Sequence, residues 1–471
     1  MAQALSKRTI AERAVSALAG LVRRVWRSVF PEPVVPRTDR ERRRVVVHTL
    51  LLHFRPVQLP AATLRYTHTF GLGGSSLVLF LILAATGLLS LFVYEPSPER
   101  AYASVIGLQR DYLFGGLVRS VHHWSAHLMA VVVVLHLLRV FLTGAFRGPR
   151  QFNWLVGCAL LTLVLTSNFT GYLLPWDQLS YWAVTISTSM LLYVPLVGAP
   201  LRQALLGGDE VGRTTLVIFH ALHTTVLPAL LIGLMGLHFW RVRKAGGVIV
   251  PREAGSAGPP ATENVLFVPH LLLREVAAGM ALLAGVLAFS VALEAPLGAP
   301  ANPGMSPNPA KAPWYFAGLQ ELLVHFHPLF AVLVVPFAAA LALLALPYLR
   351  YDEEPSGRWF QSAAGRRSAF LAAGIGAGVT GVWVVLDAML AGPGGWLPFL
   401  PAIVGKGVLP VALIVATLGA FSRWMRVRLG VARAERVQAL FVLLFAAFAV
   451  MTLVGTWFRG PGMRLAWPWN A

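Results

Sequence analysis

The 471-residue chain has one cysteine and few acidic side chains. Because Cys158 stands alone, a disulfide framework, a cysteine-based metal site and a C-x-x-C-H haem attachment are all excluded. We interpret Cys158, inside an apolar run, as a small buried residue. The chain has 20 acidic residues against 39 lysines and arginines, which gives a formal net charge of +19. Such a surplus is typical of nucleic-acid binding or of loops on one side of a membrane.

Hydrophobic residues make up 56% of the chain, and its mean hydropathy is +0.66. These values indicate an integral membrane protein, so nucleic-acid binding is not expected. Nine apolar runs reach the length that a membrane helix needs. They cover residues 69–94, 118–142, 153–174, 214–240, 275–293, 328–349, 369–391, 402–422 and 437–457. The predicted fold is an all-α polytopic membrane helix bundle with about nine transmembrane helices.

Basic residues cluster between alternate runs, at 7–65, 147–150, 241–244, 350–367 and 423–436. By the positive-inside rule, the N-terminus is cytoplasmic and the C-terminus faces outward. Residues 11–30 are amphipathic and arginine-rich, unlike a cleavable signal peptide, and are expected to lie in the cytoplasmic interface.

Two histidine pairs lie inside the apolar runs, His122 with His136 and His223 with His238. At about 1.5 Å and 100° per residue, a spacing of 14 puts two imidazoles on nearly one helix face, roughly 21 Å apart. A spacing of 15 does almost the same. Because a polar ring is costly against lipid, all four should face the bundle interior. Two such helices would form two bis-histidine sites, which suit axial ligation of haem iron.

Glycines and arginines accompany these histidines. Glycines recur 14 residues apart in the first and third runs, where a flat macrocycle could approach the backbone. They are Gly73, Gly87, Gly157 and Gly171. Arg119 lies three residues before His122, and Arg139 lies three residues after His136. We expect both guanidinium groups to pair with haem propionates, with interfacial snorkelling as the alternative.

The chain divides into five segments in this interpretation. Residues 1–60 form a cytoplasmic amphipathic segment, 61–245 a four-helix dihaem core, 246–263 a linker, 264–350 a second half and 351–471 additional C-terminal transmembrane helices.

Five motifs carry a resemblance to a known family. They are Arg119-Ser-Val-His-His-Trp-Ser-Ala, Leu135-His-Leu-Leu-Arg139, Gly171-Tyr-Leu-Leu-Pro-Trp-Asp-Gln178, Leu222-His-Thr-Thr-Val-Leu-Pro228 and Leu237-His-Phe-Trp-Arg-Val-Arg-Lys244. From about residue 60 to 350 the chain resembles the cytochrome b subunit of the cytochrome bc family of quinol-oxidising complexes. The spacing of 15 and the Pro-Trp-Asp-Gln sequence resemble the chloroplast-type branch, although both halves are fused here.

The resemblance implies two b-type haems. His122 and His223 would bind the low-potential haem near the outer face, and His136 and His238 the high-potential haem near the cytoplasm. The chloroplast-type branch attaches a further haem through a cysteine in the first run. Gly71 stands at that position, so no thioether-bound haem is expected.

The family oxidises quinol beside a Pro-Glu-Trp-Tyr motif, where this chain has Ala312-Pro313-Trp314-Tyr315. Pro313 cannot accept a proton as the motif glutamate would. Trp314 and Tyr315 are expected to wall the pocket. Glu321, in the helical-looking stretch 318–324, is a candidate replacement base, and a solvated or merely salt-bridged Glu321 is the alternative. Also expected near the pocket are Asp177, Gln178 and Tyr181.

On the cytoplasmic side, the resemblance places Arg243 in the quinone-reducing site. Arg274 and Glu275, at the start of the fifth run, resemble the family's basic and acidic pair, with a helix-end charge pair as the alternative. Other histidines invite different interpretations. A metal site is a minor alternative for His123 with His127 and for His325 with His327, and His220 is expected to pack beside a haem edge.

The implied function is electron bifurcation. Quinol at the outer site would give one electron to a Rieske iron–sulfur protein and one to the haems, which would reduce quinone near the cytoplasm. A c-type cytochrome subunit, lipids and a dimeric multi-subunit complex in a bacterial inner membrane are implied as well. Two alternatives stay open: a dihaem membrane anchor without bifurcation, and a transporter that uses histidines as a proton relay.

Overall fold

The computed structural model describes residues 10–30, 38–39, 58–252, 262–351, 357–390 and 397–470. The basic stretch 40–57 and most of the expected linker, 253–261, lie outside the described residues. Fourteen labelled helices follow in chain order: α1 Ile10–Val29, α2 Leu72–Leu91, α3 Ala101–Asp111, α4 Gly115–Leu142, α5 Gln151–Leu173, α6 Gln178–Met190, α7 Gly198–Leu206, α8 Arg213–Lys244, α9 Phe267–Ala292, α10 Trp314–His325, α11 Phe330–Tyr348, α12 Ala363–Leu390, α13 Val404–Leu429 and α14 Arg433–Trp457.

Nine of these helices in the described part of the chain are long and apolar enough to cross a membrane, namely α2, α4, α5, α8, α9, α11, α12, α13 and α14. The predicted all-α polytopic bundle is therefore confirmed. α2 packs against α4, and α5 packs against α8, to form the four-helix core. Leu79, Val121, Val164 and Leu231, one from each helix, meet in a buried cluster at its centre.

Short helices fill the loops at one end of the bundle. α3, α6, α7 and α10 connect successive membrane helices at the end that carries His122 and His223. The charge pattern predicts that this end faces outward, and we call it the outer end. Of these helices, the sequence predicted only part of α10. The others have shorter and more polar amphipathic patterns, which are hard to distinguish from loop.

π-helical turns occur before three prolines. Leu222–Val226, Phe330–Val334 and Val404–Val408 are each followed, two residues later, by Pro228, Pro336 and Pro410. A proline has no N–H for the preceding turn and its ring crowds the carbonyl four residues earlier. Widening that turn by one residue relieves the clash, which explains why each π turn stands there.

Two features differ from the sequence expectations. Gln58–Pro60 (β1) pairs antiparallel with Asn264–Leu266 (β2), so a two-stranded sheet joins the start of the core to the second half. The fifth membrane helix starts at Phe267, two turns before the predicted residue 275. Polar His270 and Arg274 interrupt the hydrophobic pattern there, but they do not interrupt the helix.

The amphipathic N-terminal segment is helical, as predicted. On α1, Val15, Leu18, Val22 and Trp26 are exposed. Arg241, near the C-terminal end of α8, donates hydrogen bonds to the last carbonyls of α1, including Val29 O at 3.1 Å. The helix is thus fixed to the core by one end, and these four apolar side chains are not covered by any described part of the chain.

Candidate functional site

The four predicted histidines form two facing pairs inside the four-helix core. His122 of α4 faces His223 of α8 with ring centroids 6.2 Å apart and an angle of 70° between the rings. His136 and His238 form the second pair, 6.4 Å apart at 71°. The near-identical geometry indicates two sites of one kind, at different depths along the same helices.

The ring separations fit one metal ion between each pair. A bond from a transition metal to an imidazole nitrogen is about 2 Å long, so two bonds in line span about 4 Å. The two ring halves account for the remainder of the 6.2 Å between centroids. Each histidine pair could therefore hold one haem iron, for which imidazole is a common ligand.

Hydrogen bonds leave the other ring nitrogen available in the outer pair. His122 Nδ1 lies 2.9 Å from Thr86 Oγ1, whose hydroxyl donates to Ile82 O at 2.7 Å. Thr86 therefore accepts the Nδ1 proton. His223 Nδ1 likewise donates to Ser167 O at 3.0 Å. A proton held on Nδ1 puts the lone pair on Nε2, the tautomer that binds a metal.

The glycines lie against the histidine rings. A Cβ atom built on each would lie at these distances from Cε1 of its histidine: Gly73 3.5 Å from His136, Gly87 3.2 Å from His122, Gly157 3.6 Å from His238 and Gly171 2.5 Å from His223. The last distance is too short for any side chain at Gly171. The glycines thus admit the imidazoles themselves, and space for a macrocycle beside them stays a prediction.

The unequal histidine spacings have a structural cause. His223 lies within the π-helical turn Leu222–Val226, and His238 lies in the α-helical part beyond it. A π turn contains about one residue more than an α turn. The spacing of 15 in α8 therefore covers the same rotation as the spacing of 14 in α4, which keeps both pairs facing each other.

The two predicted propionate partners contact backbone carbonyls. Arg119 donates to Ala295 O at 2.7 Å and to Pro296 O at 2.6 Å. Arg139 donates to His68 O at 2.9 Å. Burial and the Arg139 guanidinium lower the pKa of His68, which keeps its ring neutral beside the cation. These contacts hold both arginines near the two ends of α4, and their pairing with propionates stays a prediction.

A cavity of about 250 Å³ lies at the outer end between α6, the segment 307–312 and α10. Its walls are mostly apolar, with Trp182 of α6 and Phe316 of α10 among them. Asp177, expected near this pocket, caps α6 by accepting from Ser180 N at 2.9 Å and also accepts from Gly298 N at 3.0 Å. It therefore orients the helix that forms one wall.

Trp314 and Tyr315 are not among the residues that line this cavity, and their role as walls of a quinol pocket stays a prediction. Trp314 Nε1 donates to His127 Nδ1 at 2.6 Å, and the Tyr315 ring lies 6.1 Å from the His127 ring. Pro313 only caps the start of α10. At about 100° per residue, the cavity face of α10 falls instead on Phe316 and Gln320.

Glu321 lies on the other face of α10, in a buried cluster. It accepts hydrogen bonds from both Arg459, with Nε 3.1 Å from Oε2, and His325, 3.0 Å away. His325 Nδ1 lies 2.6 Å from Asp387 Oδ2. Burial raises the pKa of Glu321, but the hydrogen bonds from His325 and Arg459 outweigh it, so the pKa is lowered overall. This geometry favours the salt-bridged alternative over a quinol base.

The candidates for the quinone-reducing site occupy two helices. Arg243 lies in the last turn of α8, five residues after His238. Arg274 donates to Leu64 O at 2.5 Å, so it joins α9 to the segment before α2. Glu275 follows it on the exposed side of α9, two turns inside the helix rather than at its start.

The remaining histidines have other neighbours. No group of three possible metal ligands occurs among the described residues. His123 and His127 are one helical turn apart with ring centroids separated by 4.5 Å. His327 donates its backbone N–H to Lys406 O at 2.8 Å. His220 stacks on Tyr94, 5.4 Å between centroids.

Three residues that contact His122 or the cluster around Glu321 have no clear signal in the sequence. Thr86 was missed although it precedes Gly87, because a threonine in an apolar helix usually bonds its own backbone. Arg459 lies beyond the last apolar run and Asp387 lies inside the seventh, and nothing in the sequence links them to residue 321. Only the packing of α10, α12 and α14 brings them together.

Comparison with known proteins agrees with this geometry. A family model described as "Cytochrome b/b6/petB" matches residues 58–246. Cytochrome b6 of Prochlorococcus marinus (strain MIT 9303) is 46% identical over 175 residues, which are 37% of this chain and 80% of that protein. Cytochrome b6 of Heliobacterium modesticaldum is 44% identical over 188 residues, 40% of this chain and 87% of that protein.

The fold has a solved counterpart as well. A chain of a "Hyperthermophilic respiratory Complex III" superposes with a TM-score of 0.60 and 23% identity, covering 89% of this chain and 97% of that one. The resemblance drawn from the motifs is thereby confirmed, including the cytochrome b6-like N-terminal half.

Proposed function

The chain belongs to the cytochrome b/b6 family, and on that premise we propose that it is the dihaem cytochrome b subunit of a quinol:cytochrome c oxidoreductase, or of one with another high-potential acceptor. The observation that carries the proposal is the pair of matched histidine sites, 6.2 Å and 6.4 Å between rings, at two depths of one membrane-spanning core. A single redox site would not connect the two faces of a membrane.

Haem b bound at each pair would supply one-electron carriers at the two depths. The protein's part is to hold the ligands. His122, His136, His223 and His238 provide the four imidazoles. Thr86 and Ser167 fix the tautomers of the outer pair. Arg119 and Arg139 are proposed to bind the propionates, at the two ends of α4.

At the outer end, the cavity beside α10 is proposed to bind quinol. Its apolar walls suit a quinone ring and tail, and a few polar groups would orient the hydroxyls. Near the cytoplasm, Arg243, Arg274 and Glu275 are proposed to serve quinone reduction, with Glu275 as a proton donor. Quinol oxidation outside and quinone reduction inside would move protons across the membrane.

Partners complete the proposed reaction. The chain has one cysteine, so it cannot hold a cysteine-ligated iron–sulfur cluster or a C-x-x-C-H haem. We assign these to a Rieske iron–sulfur protein and a c-type cytochrome subunit, in a dimeric complex of a bacterial inner membrane with a cytoplasmic N-terminus. Lipids would surround the nine spans.

Reduction by quinol tests the proposal. The purified complex should show reduced-minus-oxidised absorption of two b haems, and oxidising the high-potential acceptor should increase the extent to which a quinol reduces them. Haem reduction that does not depend on the acceptor would favour a dihaem anchor. A chain that binds no haem would contradict the proposal.

A further inference from the structure

One lysine lines the outer cavity. Lys311 is the only ionisable side chain among the described residues that form its walls. The chain has just four lysines among its 39 basic residues, at positions 7, 244, 311 and 406. Burial lowers the pKa of Lys311, so its ammonium group is partly removed from water. The cavity thus carries a cation two residues before the proline that replaces the family's motif glutamate.

The backbone on both sides of Lys311 is fixed by a cavity-wall residue. Gln320 Nε2 donates to Ala310 O at 2.7 Å, and Ala312 N donates to Gln320 Oε1 at 2.7 Å. One side-chain amide of α10 therefore holds the residues that flank the lysine. These two hydrogen bonds fix the backbone of Lys311 along the cavity, whereas a lysine in a free loop would have no such restraint.

We propose that Lys311 contacts the quinol oxygen and stabilises the singly deprotonated quinol. In that step the O–H bond breaks, the electron pair stays on oxygen and the proton passes to water at the outer end. An ammonium ion beside the oxygen favours the anion, more strongly in a mostly apolar cavity than in water. A base at position 313 is then unnecessary, since a cation lowers the pKa of the quinol itself.

This inference rests on the proposed function. Binding of two quinones distinguishes a failure of the inference from a failure of the proposed function. 2-Hydroxy-1,4-naphthoquinone is an anion at neutral pH, whereas 2-methoxy-1,4-naphthoquinone is neutral. In equilibrium dialysis with the purified haem-loaded complex, Lys311→Gln should weaken binding of the hydroxy compound about tenfold and leave the methoxy compound unchanged. Lys311→Arg, which retains the charge, should restore most of the affinity.

Quinol oxidation gives a second readout. In Lys311→Gln the rate at neutral pH should fall about tenfold, and the pH–rate profile should move to higher pH by about one unit, because the bound quinol ionises less readily. Lys406→Gln is the matched control. Lys406, in the first turn of α13, is not among the residues that line the cavity, and its replacement should change neither quantity.

The outcomes are distinct. If wild-type haems are reduced by quinol but Lys311→Gln binds both naphthoquinones and oxidises quinol as the wild type does, Lys311 only snorkels to the interface and the inference is wrong. If no quinol reduces the wild-type haems, the proposed function fails and the inference fails with it. Equal losses for both naphthoquinones would indicate a collapsed cavity and would also overturn the charge-based role.

Discussion

Glu321 of α10 and Arg459, just beyond the end of α14, form a buried ion pair behind the outer cavity. Arg459 Nε lies 3.1 Å from Glu321 Oε2, and the second guanidinium nitrogen contacts Oε1. Both side chains are almost fully buried. The pair connects the cavity wall to the last membrane helix, which gives the C-terminal segment a structural task that its sequence does not suggest.

The first prediction concerns this pair. Arg459→Gln removes the guanidinium from the buried Glu321 carboxylate and leaves it with His325, and breaking a buried ion pair typically costs about 3 to 5 kcal/mol. The thermal midpoint of the purified complex should fall clearly. Adding Glu321→Gln should recover part of the loss, because no unpaired charge is then buried. A double variant as unstable as the single one would show that the ion pair is not the cause.

The second prediction concerns pH. Burial lowers the pKa of His325, but hydrogen bonds to Asp387 and Glu321 raise it overall. The contribution of His325 to the free energy of unfolding is therefore complete below its ordinary pKa of about 6.5. It is lost as the pH rises through the higher pKa of the folded state. The lowered pKa of Glu321 acts in the other direction, since its contribution is lost only as the pH falls below about 4.

Thermal midpoints should thus decline on the alkaline side as His325 loses its proton beside Asp387, Glu321 and Arg459. His325→Gln should flatten that alkaline limb and keep the acidic one. Identical profiles for the variant and the wild type would rule out this cluster as their source.

The third prediction uses two glycines of α5 as a matched pair. A Cβ atom at Gly171 would lie 2.5 Å from His223 Cε1, but one at Gly157 would lie 3.6 Å from His238 Cε1, an ordinary contact. Gly171→Ala should therefore displace His223 at a cost of about 1 to 3 kcal/mol and reduce outer-haem content. Gly157→Ala should lower haem content less, because its Cβ makes only an ordinary contact with His238. Equal haem content in the two variants would contradict this packing.

The fourth prediction concerns haem attachment. Since Cys158 is the one cysteine and no C-x-x-C-H motif exists, haem should be held by ligation and packing only. Acidified acetone should then extract all haem from the chain. Haem stain that remains on the denatured polypeptide would contradict it.

The membrane helices and the histidine pairs were predictable because each depends on a local pattern. Hydrophobic length fixes a span, and helical periodicity places His122 and His136 on one face without knowledge of any other helix. The π turn at His223 was not foreseen as a structure, yet its effect was visible as the spacing of 15.

The surroundings of the cavity could not be predicted in the same way. The rotation of α10 decides whether Trp314 or Phe316 faces the cavity, and that rotation is fixed by close packing against α14. A Cβ atom at Gly318 would lie 2.6 Å from Thr452 Oγ1, and one at Gly455 would lie 2.7 Å from Ala317 O. Such contacts join residues more than 130 positions apart, and no local pattern encodes them.

The central claim is that each histidine pair holds one haem. Haem-to-polypeptide ratios of purified His136→Ala and His122→Ala, with reduced-minus-oxidised spectra, test it most directly. Each variant should retain one haem of the two, and the spectral component lost from His136→Ala should be the one retained by His122→Ala. Two haems in either variant, or loss of the same component from both, would contradict the account.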